Sequence, residues 1–419
     1  MPLLEAPCPP NMPCRTNKSW CPKLKTVRIS RIDDAVEIFR KIGVDEHGIS
    51  IMAPKALHSH ILISSQSCKI ANILKQEMLS LGGDAAVARG SVSCSVDATD
   101  ILLMGSRRQL AALGGKIEKQ PFGLSQIGRE ILDILDNISR NRFVLKTSRR
   151  EIILGEKTLV MGILNVTPDS FSDGNVFFDV QKAIDHGKQM EEEGADLIDI
   201  GGESTRPGSK PVSAEEEMQR VLPVIEGLSR TGRVPISVDT KKSSVALRAL
   251  EAGAEIVNDI SALGDEDMAL VVRKFQAGLI LMHMRGTPEN MQTGNLMYHD
   301  LMGEIIDYLR DRCRTAMAAG IGTEHLVVDP GIGFGKTYGD NCKILKNISE
   351  LKILGLPLLI GASRKAFIGS VTGGSPAERL EGTAAVVSAA VLNGCHILRV
   401  HDVAFMKKVA AMTDAIVRA

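Results

Sequence analysis

Three acceptor side chains stand directly after short hydrophobic runs. Asp239 follows PISV, Asn258 follows EIV and Asp329 follows LVV. Carboxylate and amide oxygens accept hydrogen bonds, and one carboxylate can accept two parallel N–H bonds. Such a set suits a flat heterocycle that presents several N–H donors, such as an amino-pyrimidinone ring. The alternative for Asp239 is a structural role, paired with Lys241 or with a backbone N–H.

Cationic side chains gather in other segments. They are Arg206, Arg364, Lys365, Arg399 and His401. Arginine suits bidentate contact with phosphate, and histidine exchanges protons near neutral pH. We therefore expect an anion site, with Asp402 as the N-cap of the last helix and the free N–H groups of that helix facing the anion. Solvated surface charge is the alternative, above all for Arg364.

Eight short apolar runs of strand length precede these groups. They are Val160–Leu164, Leu197–Ile200, Pro235–Val238, Glu255–Val257, Leu279–Met282, Leu326–Val328, Leu358–Ile360 and Ile397–Val400. Stretches with 3.6-residue periodicity lie between them, for example Ala214–Leu228 and Val403–Val417. This alternation predicts an α/β fold, a (β/α)8 TIM barrel, whose chemistry lies at the C-terminal strand ends. An open doubly wound sheet is the alternative.

The chain divides into three parts by its texture. Residues 1–25 are predicted to be a disordered tail rich in Pro and Cys, and residues 26–150 a smaller α+β domain without an assignable role. In that domain His60–Ser64 has the pattern of a strand and Gln66–Leu81 that of an amphipathic helix. Residues 151–419 are predicted to form the barrel domain.

Composition excludes several classes of function. Fifty Lys and Arg balance fifty Asp and Glu, and aromatic residues make up only 3% of the chain, which weighs against a nucleic-acid partner. No apolar stretch is long enough for a membrane span, so no membrane partner is expected. The N-terminal residues lack the apolar core of an export signal, which predicts a cytoplasmic location and mostly free thiols.

The stretch DPGIGFGK and the Thr337 that follows it resemble the end of a phosphate-binding loop. Gly335, Lys336 and Thr337 match the last three positions of that motif. The motif also requires a glycine at position 330, where this chain has Pro. A nucleotide-hydrolysing function is therefore not expected.

Eight separate strings of the barrel domain together resemble dihydropteroate synthase. They are MGILNVTPDSFSDG, GGESTRPGS, SVDT, VNDI, LMHM, DPGIGFGK, GASRKAFIG and RVHDV. The resemblance covers Thr158 to the C-terminus. It implies an enzyme of folate biosynthesis, a homodimer and the target of sulfonamides, which joins a pterin methyl diphosphate to p-aminobenzoate.

The resemblance also implies roles for individual residues. The pterin pocket would be formed by Asp239, Asn258, Met282, Asp329, Gly361 and Lys365. The diphosphate would be held by Arg399, His401 and Arg206, with Mg²⁺ bound by Asn165 and the diphosphate together. The second substrate, p-aminobenzoate, would contact Thr205, Pro207, Phe334 and Ser363.

Two other functions remain open at this point. Pterin-dependent methyltransferases keep counterparts of Asp239 and Asn258 but have no diphosphate to hold. A pterin-binding protein without catalysis is the other alternative. The strings STRPG, SRK and RVHD favour the synthase over both.

Overall fold

The computed structural model describes residues 24–167, 176–204, 209, 211–287, 291 and 296–419. They form two compact units, which divide between Ile131 and Leu132. Most of the predicted tail, and Thr205, Arg206 and Pro207, lie outside the described residues. Within the described ranges, no helix is both long enough and apolar enough to cross a membrane.

The first unit contains helices and a three-stranded antiparallel sheet. Its elements are α1 (Ile32–Ile42), α2 (Glu46–Ala56), β1 (His58–Ser67), α3 (Cys68–Ser80), β2 (Asp84–Val87), β3 (Ala98–Ser106), α4 (Arg107–Ile117) and α5 (Leu124–Ser139), which crosses into the second unit. Strand β3 lies between β1 and β2. The predicted strand lies within β1, and the predicted amphipathic helix is α3, whose Leu74 and Met78 are fully buried.

The second unit begins with a hairpin and continues as alternating strands and helices. Its elements are β4 (Phe143–Lys146), β5 (Glu151–Leu154), β6 (Leu159–Asn165), α6 (Val176–Glu192), β7 (Leu197–Gly201), α7 (Ala214–Thr231), β8 (Ile236–Asp239), α8 (Ser243–Ala252), β9 (Ile256–Asp259), α9 (Met268–Phe275), β10 (Gly278–Met282), α10 (Leu301–Ala318), β11 (Leu326–Asp329), α11 (Tyr338–Lys346), β12 (Leu359–Ile360), α12 (Ala366–Thr372), α13 (Leu380–Leu392), β13 (Ile397–Val400) and α14 (Val403–Arg418).

The strands β6 to β13 form a parallel barrel. Their order is β11-β10-β9-β8-β7-β6-β13-β12, and a parallel bridge between Val328 and Leu358 joins the two outer strands. The predicted (β/α)8 barrel, preceded by a smaller α+β region, is confirmed. All eight strands run in one direction, so their C-terminal ends meet at a single rim.

Side chains that point into the barrel change from apolar to polar along the strands. The lower layer is a buried apolar cluster of Leu159, Met161, Leu197, Ile256, Ile280, Val327, Leu359 and Ile397 with two hairpin residues. Inward side chains along a strand are two residues apart. The next inward residues therefore include Asp199, Asn258, Asp329 and Arg399. These polar groups lie directly above the apolar layer.

The hairpin β4–β5 closes the opposite end of the barrel. Its Leu145 and Leu154 are buried within the apolar floor cluster. Glu255, at the start of β9, accepts hydrogen bonds from Thr147 Oγ1 at 2.7 Å and from Arg150 Nε at 3.1 Å. The sequence analysis placed the domain boundary after residue 150, whereas the second unit of the structure begins at Leu132 and includes this hairpin.

Candidate active site

A guanidinium group lies between two carboxylates in the mouth of the barrel. Arg399 Nε donates to Asp199 Oδ2 at 2.6 Å, and Arg399 Nη2 donates to Asp239 Oδ2 at 2.5 Å. Asn258 Nδ2 donates to the same oxygen of Asp199 at 3.0 Å. The predicted partner Lys241 pairs with Glu203 instead of Asp239. Residues of β7, β8, β9 and β13 are thus joined in one network.

The charges of this network shift the pKa values of its members. Burial raises the pKa of Asp239, and the positive charge of Arg399 offsets part of that rise. Burial acts against the charged form of Arg399, but Asp199 and Asp239 outweigh it and raise the pKa of Arg399. We conclude that Arg399 keeps its proton and is held as a cation among carboxylates.

Asp329 and Lys365 lie beside this network. Burial raises the pKa of Asp329 to about 6, although Gly331 N donates to its Oδ1 at 2.7 Å. Burial, together with the positive charge of Arg399, lowers the pKa of Lys365 to about 8. A Cβ atom placed on Gly361 would lie 3.7 Å from Arg399 Cβ and 3.8 Å from Asp329 Oδ2. The glycine therefore leaves room beside both side chains.

The space beside Asp239 is open in the same way. A Cβ atom placed on Gly201 would lie 3.5 Å from Asp239 Cβ and 3.9 Å from Asn165 Oδ1. The amide oxygen of Asn165, at the end of β6, thus lies near the carboxylate at the end of β8.

Apolar side chains form one wall of the mouth. Met282 and Phe334 are buried in a cluster with Ile260 and Met291. Lys365 Nζ lies over the Phe334 ring, 4.0 Å from its centre. This wall therefore combines a flat apolar surface with a cation.

Ser363 and His401 are hydrogen-bonded at the ends of β12 and β13. His401 N donates to Ser363 Oγ at 3.2 Å, and His401 Nδ1 lies 3.1 Å from the same oxygen. Burial, together with the positive charges of nearby Arg399 and Arg364, lowers the pKa of His401 to about 3. The imidazole is therefore neutral at neutral pH.

Asp402 does not cap the last helix with its side chain. It occupies the N-cap position of α14, but no capping hydrogen bond forms there. Instead, the carboxylate accepts from Arg364 Nε at 3.0 Å and from Arg364 Nη2 at 2.5 Å. The predicted N-cap position is therefore confirmed, but the side chain of Asp402 is engaged in a bidentate contact with Arg364 and makes no capping hydrogen bond.

Lys336 is buried behind the apolar wall. Its Nζ lies 2.9 Å from His283 Nδ1 and donates to Phe334 O at 2.9 Å and to His283 O at 3.3 Å. Burial lowers the pKa of Lys336 to about 7 and that of His283 to about 3. This lysine ends the stretch DPGIGFGK. Its hydrogen bonds join the loop that carries Phe334 to His283, which follows β10.

Comparison with known proteins agrees with this geometry. A family model described as pterin binding enzyme matches residues 161–401. A dihydropteroate synthase of Clostridium beijerinckii is 45% identical over 276 residues, which are 65% of this chain and 100% of that protein. The chain belongs to the dihydropteroate synthase family. It is a transferase.

A solved synthase structure resembles the barrel of this synthase. The crystal structure of a dihydropteroate synthase from Clostridium difficile, in the presence of pteroic acid, has a TM-score of 0.60 and 45% identity. The match covers 64% of this chain and 99% of that one.

The first unit of this synthase has a counterpart in an archaeal relative. A probable bifunctional folylpolyglutamate synthase/dihydropteroate synthase of Halobacterium salinarum is 38% identical over 387 residues, 92% of this chain and 46% of that protein. That alignment is longer than the second unit, so it extends into the first.

The structure brings those predicted site residues that it describes to one rim. These residues are Asn165, Asp239, Asn258, Met282, Asp329, Phe334, Gly361, Ser363, Lys365, Arg399 and His401. Sequence reasoning missed Asp199 and Lys336. Asp199 could have been found, because it follows Leu197 by two residues, as Arg399 follows Ile397 and Asp329 follows Val327.

Proposed function

We propose that the synthase condenses 6-hydroxymethyl-7,8-dihydropterin diphosphate with p-aminobenzoate, which yields 7,8-dihydropteroate and diphosphate. The observation that carries this proposal is the rim where Arg399 lies in hydrogen-bond contact with Asp239. Acceptors for a nitrogen-rich ring and a cation for its diphosphate are thus within reach of one small molecule. Membership in the synthase family supports the same reaction.

The ring would bind to the acceptors of the polar layer. Asp239 and Asp329 would accept N–H bonds from the pterin, and Asn258 would contribute its carbonyl oxygen. Gly361 supports this role because it leaves room beside Arg399 and Asp329. Met282 and Lys365 would line the faces of the ring.

The diphosphate would bind to the cationic side of the mouth. Arg399 and His401 would hold it, with Arg206 from the loop after β7 beside them. His401 is neutral in this structure and would donate an N–H; an arriving diphosphate would raise its pKa, because negative charge favours the protonated form.

Asn165 fits the predicted magnesium ion. Mg²⁺ prefers oxygen ligands and is usually held by one or two protein groups together with substrate phosphates and water. Asn165 offers an amide oxygen near Asp239, and within the described residues no cluster of three His, Cys, Asp or Glu side chains competes for a metal. When bound, the ion would neutralise charge on the leaving diphosphate.

The reaction would follow a dissociative displacement. The C–O bond to the diphosphate breaks first, and positive charge develops on the pterin methylene. Asp239 and Asp329 would stabilise that charge from the rim. Phe334 and Ser363, with Thr205 and Pro207, would hold p-aminobenzoate. Its amine nitrogen then forms the new C–N bond, and the nitrogen passes its extra proton to the released diphosphate or to water.

The synthase would work as a homodimer, with α14 in the interface. Phe405, Met412 and Ile416 are exposed and lie seven and four residues apart, which places them on one face of the helix. A second copy would cover this apolar face. Sedimentation of Met412→Lys should then give a monomer, whereas an unchanged mass would contradict this interface.

One assay separates the proposed reaction from its alternatives. Purified protein is incubated with the pterin diphosphate, Mg²⁺ and labelled p-aminobenzoate. Diphosphate release that depends on the amine, together with labelled dihydropteroate, is the expected result. Pterin binding without turnover would indicate a non-catalytic binding protein. Transfer of a methyl group from a methylated pterin would indicate a methyltransferase.

A further inference from the structure

Asp199 is a buried carboxylate at the centre of the polar layer. It lies on β7, with a side chain that is 0% exposed, and it follows the floor residue Leu197 by two positions. Its Oδ2 accepts from Arg399 Nε and from Asn258 Nδ2. One oxygen therefore contacts both a group proposed to hold the diphosphate and a group proposed to hold the ring.

The chemistry of an ionised carboxylate fixes what its two partners present to the mouth. A carboxylate only accepts hydrogen bonds, so the Asn258 amide must turn its NH₂ group towards Asp199. Its carbonyl oxygen is then the atom left for a ligand. Arg399 has Nε on Asp199 and Nη2 on Asp239, which leaves both N–H bonds of Nη1 and the second N–H bond of Nη2 for an anion.

Stability alone does not explain a charge at this position. The layer directly below is apolar, and a buried ion pair often contributes no more to stability than well-packed apolar side chains. Asp199 Oδ1 has no hydrogen-bond partner within the described residues. The carboxylate is therefore poorly satisfied as a purely structural group, while its Oδ2 contacts two groups of the site.

We propose that Asp199 is the positioning residue of the pterin diphosphate site, which sets the direction of the Asn258 amide and of the Arg399 guanidinium. The inference rests on the proposed function for its substrate. Recognition of the ring and recognition of the diphosphate would then be coupled through Asp199 Oδ2, an oxygen that itself contacts neither part of the substrate. A change at Asp199 should therefore impair both, while p-aminobenzoate, whose proposed contacts include neither Asn258 nor Arg399, is affected least.

Asp199→Asn tests this, with Ser237→Ala as the matched control. The asparagine keeps the shape but removes the charge and adds a donor. Ser237 pairs in register with Asp199 on the neighbouring strand, is fully buried, and its Oγ has no hydrogen-bond partner in the described part of the chain. The control therefore changes a buried polar atom of the neighbouring strand that has no hydrogen bond to Arg399 or Asn258 within the described residues.

The readouts are affinity for 6-hydroxymethyl-7,8-dihydropterin and steady-state kinetics. Asp199→Asn should weaken ring binding about tenfold or more and lower kcat/KM for the pterin diphosphate by about 10- to 100-fold, as losses of orienting partners do. The KM for p-aminobenzoate should stay within about twofold. Ser237→Ala should change none of these by more than about twofold. Equal values for the two variants would overturn the proposal.

The pH profile of ring binding distinguishes positioning from a general structural defect. Asp199 is one of the charges that raise the pKa of Asp239, after burial and against the effect of Arg399. Without that charge the pKa of Asp239 should fall. The pH below which ring affinity declines should therefore be lower in Asp199→Asn than in the wild-type protein, and unchanged in Ser237→Ala. A loss of affinity in Asp199→Asn with that pH unchanged would contradict the proposal.

A measurement on the wild-type protein remains decisive if Asp199→Asn fails to fold. In an NMR spectrum of protein labelled with ¹⁵Nε-arginine, the Arg399 resonance is identified as the one that is missing from the spectrum of Arg399→Lys. Its Nε proton, bound to a buried carboxylate, should exchange slowly with water in the absence of any ligand. Exchange at the rate of exposed arginines would overturn the proposal. Wild-type protein that binds the ring but forms no dihydropteroate would instead contradict the proposed function and leave this measurement valid.

Discussion

Arg399 Nη2 donates a hydrogen bond of 2.5 Å to Asp239 Oδ2, across the barrel mouth from β13 to β8. The sequence assigned these two residues to different parts of a substrate, the cation to a phosphoryl tail and the carboxylate to a ring. Their direct contact means that neither charge is free in the absence of substrate. We therefore expect substrate to bind to a network of charges that is already formed.

Replacing Arg399 by Ala should impair the diphosphate substrate selectively. The KM for the pterin diphosphate should rise more than tenfold, because a charge-assisted contact is lost, while the KM for p-aminobenzoate changes by less than about twofold. The free energy of unfolding should fall by about 3 kcal/mol, since Asp199 and Asp239 lose their buried cation.

Steady-state kinetics and urea unfolding measure both effects. Arg364→Ala is the control, because Arg364 is a part-exposed arginine near the same rim that pairs with Asp402. Its stability loss should stay below about 1 kcal/mol. Equal rises in KM for both substrates of Arg399→Ala would place the anion site elsewhere.

Replacing Asp239 by Asn should weaken ring binding by about 2 kcal/mol or more, because one oxygen acceptor becomes a donor and the charge is lost. Calorimetry with 6-hydroxymethyl-7,8-dihydropterin measures the change. Asp259→Asn is the matched control. Asp259 is equally buried, but its carboxylate accepts from Ser261 and Leu263 in the turn after β9. If the control loses as much ring affinity as Asp239→Asn, the ring does not bind Asp239.

Ring binding should depend on the ionisation of Asp329. Burial raises the pKa of Asp329 from 3.8 to about 6, and a ring that donates N–H bonds prefers the carboxylate. Affinity should therefore fall as the pH drops through about 6, and binding at pH 6 should release protons. Calorimetry at pH 6 in buffers of different ionisation enthalpy should show a buffer-dependent heat that vanishes at pH 8. Asp329→Asn should reduce that heat, and the remainder should come from Asp239, whose pKa burial also raises. An undiminished heat in this variant would assign the proton to another group.

The hairpin β4–β5 should be needed for the barrel, whereas the first unit should not be needed for turnover. A chain that starts at Leu132 keeps the hairpin, and a chain that starts at Glu151 lacks β4. Without β4 the apolar floor loses the cover of Leu145, which is 1% exposed. We expect cooperative unfolding and synthase turnover for the longer chain and aggregation or loss of turnover for the shorter one. Full activity of the chain from Glu151 would show that the hairpin is dispensable.

Local signals made the barrel predictable. Eight apolar runs separated by amphipathic helical stretches carry a period that only βα units produce, and their spacing gave the strands to within one or two residues. The hairpin was not predicted. Its strands FVLK and EIIL are short and resemble any buried strand, so their sequences do not show to which unit they belong. Only their packing against Leu159 and its neighbours in the floor decides that.

The chemical types at the strand ends were determined by the sequence alone. Acceptors at Asp239, Asn258 and Asp329, and cations at Arg399 and Lys365, follow from their positions after apolar runs, because parallel strands bring those positions to one rim. The pairing among them was decided only by the tertiary structure. Whether Arg399 meets Asp199, Asp239 or Asp329 depends on strand register and on the depth at which each side chain enters the barrel, and these are properties of the closed barrel that no single segment contains.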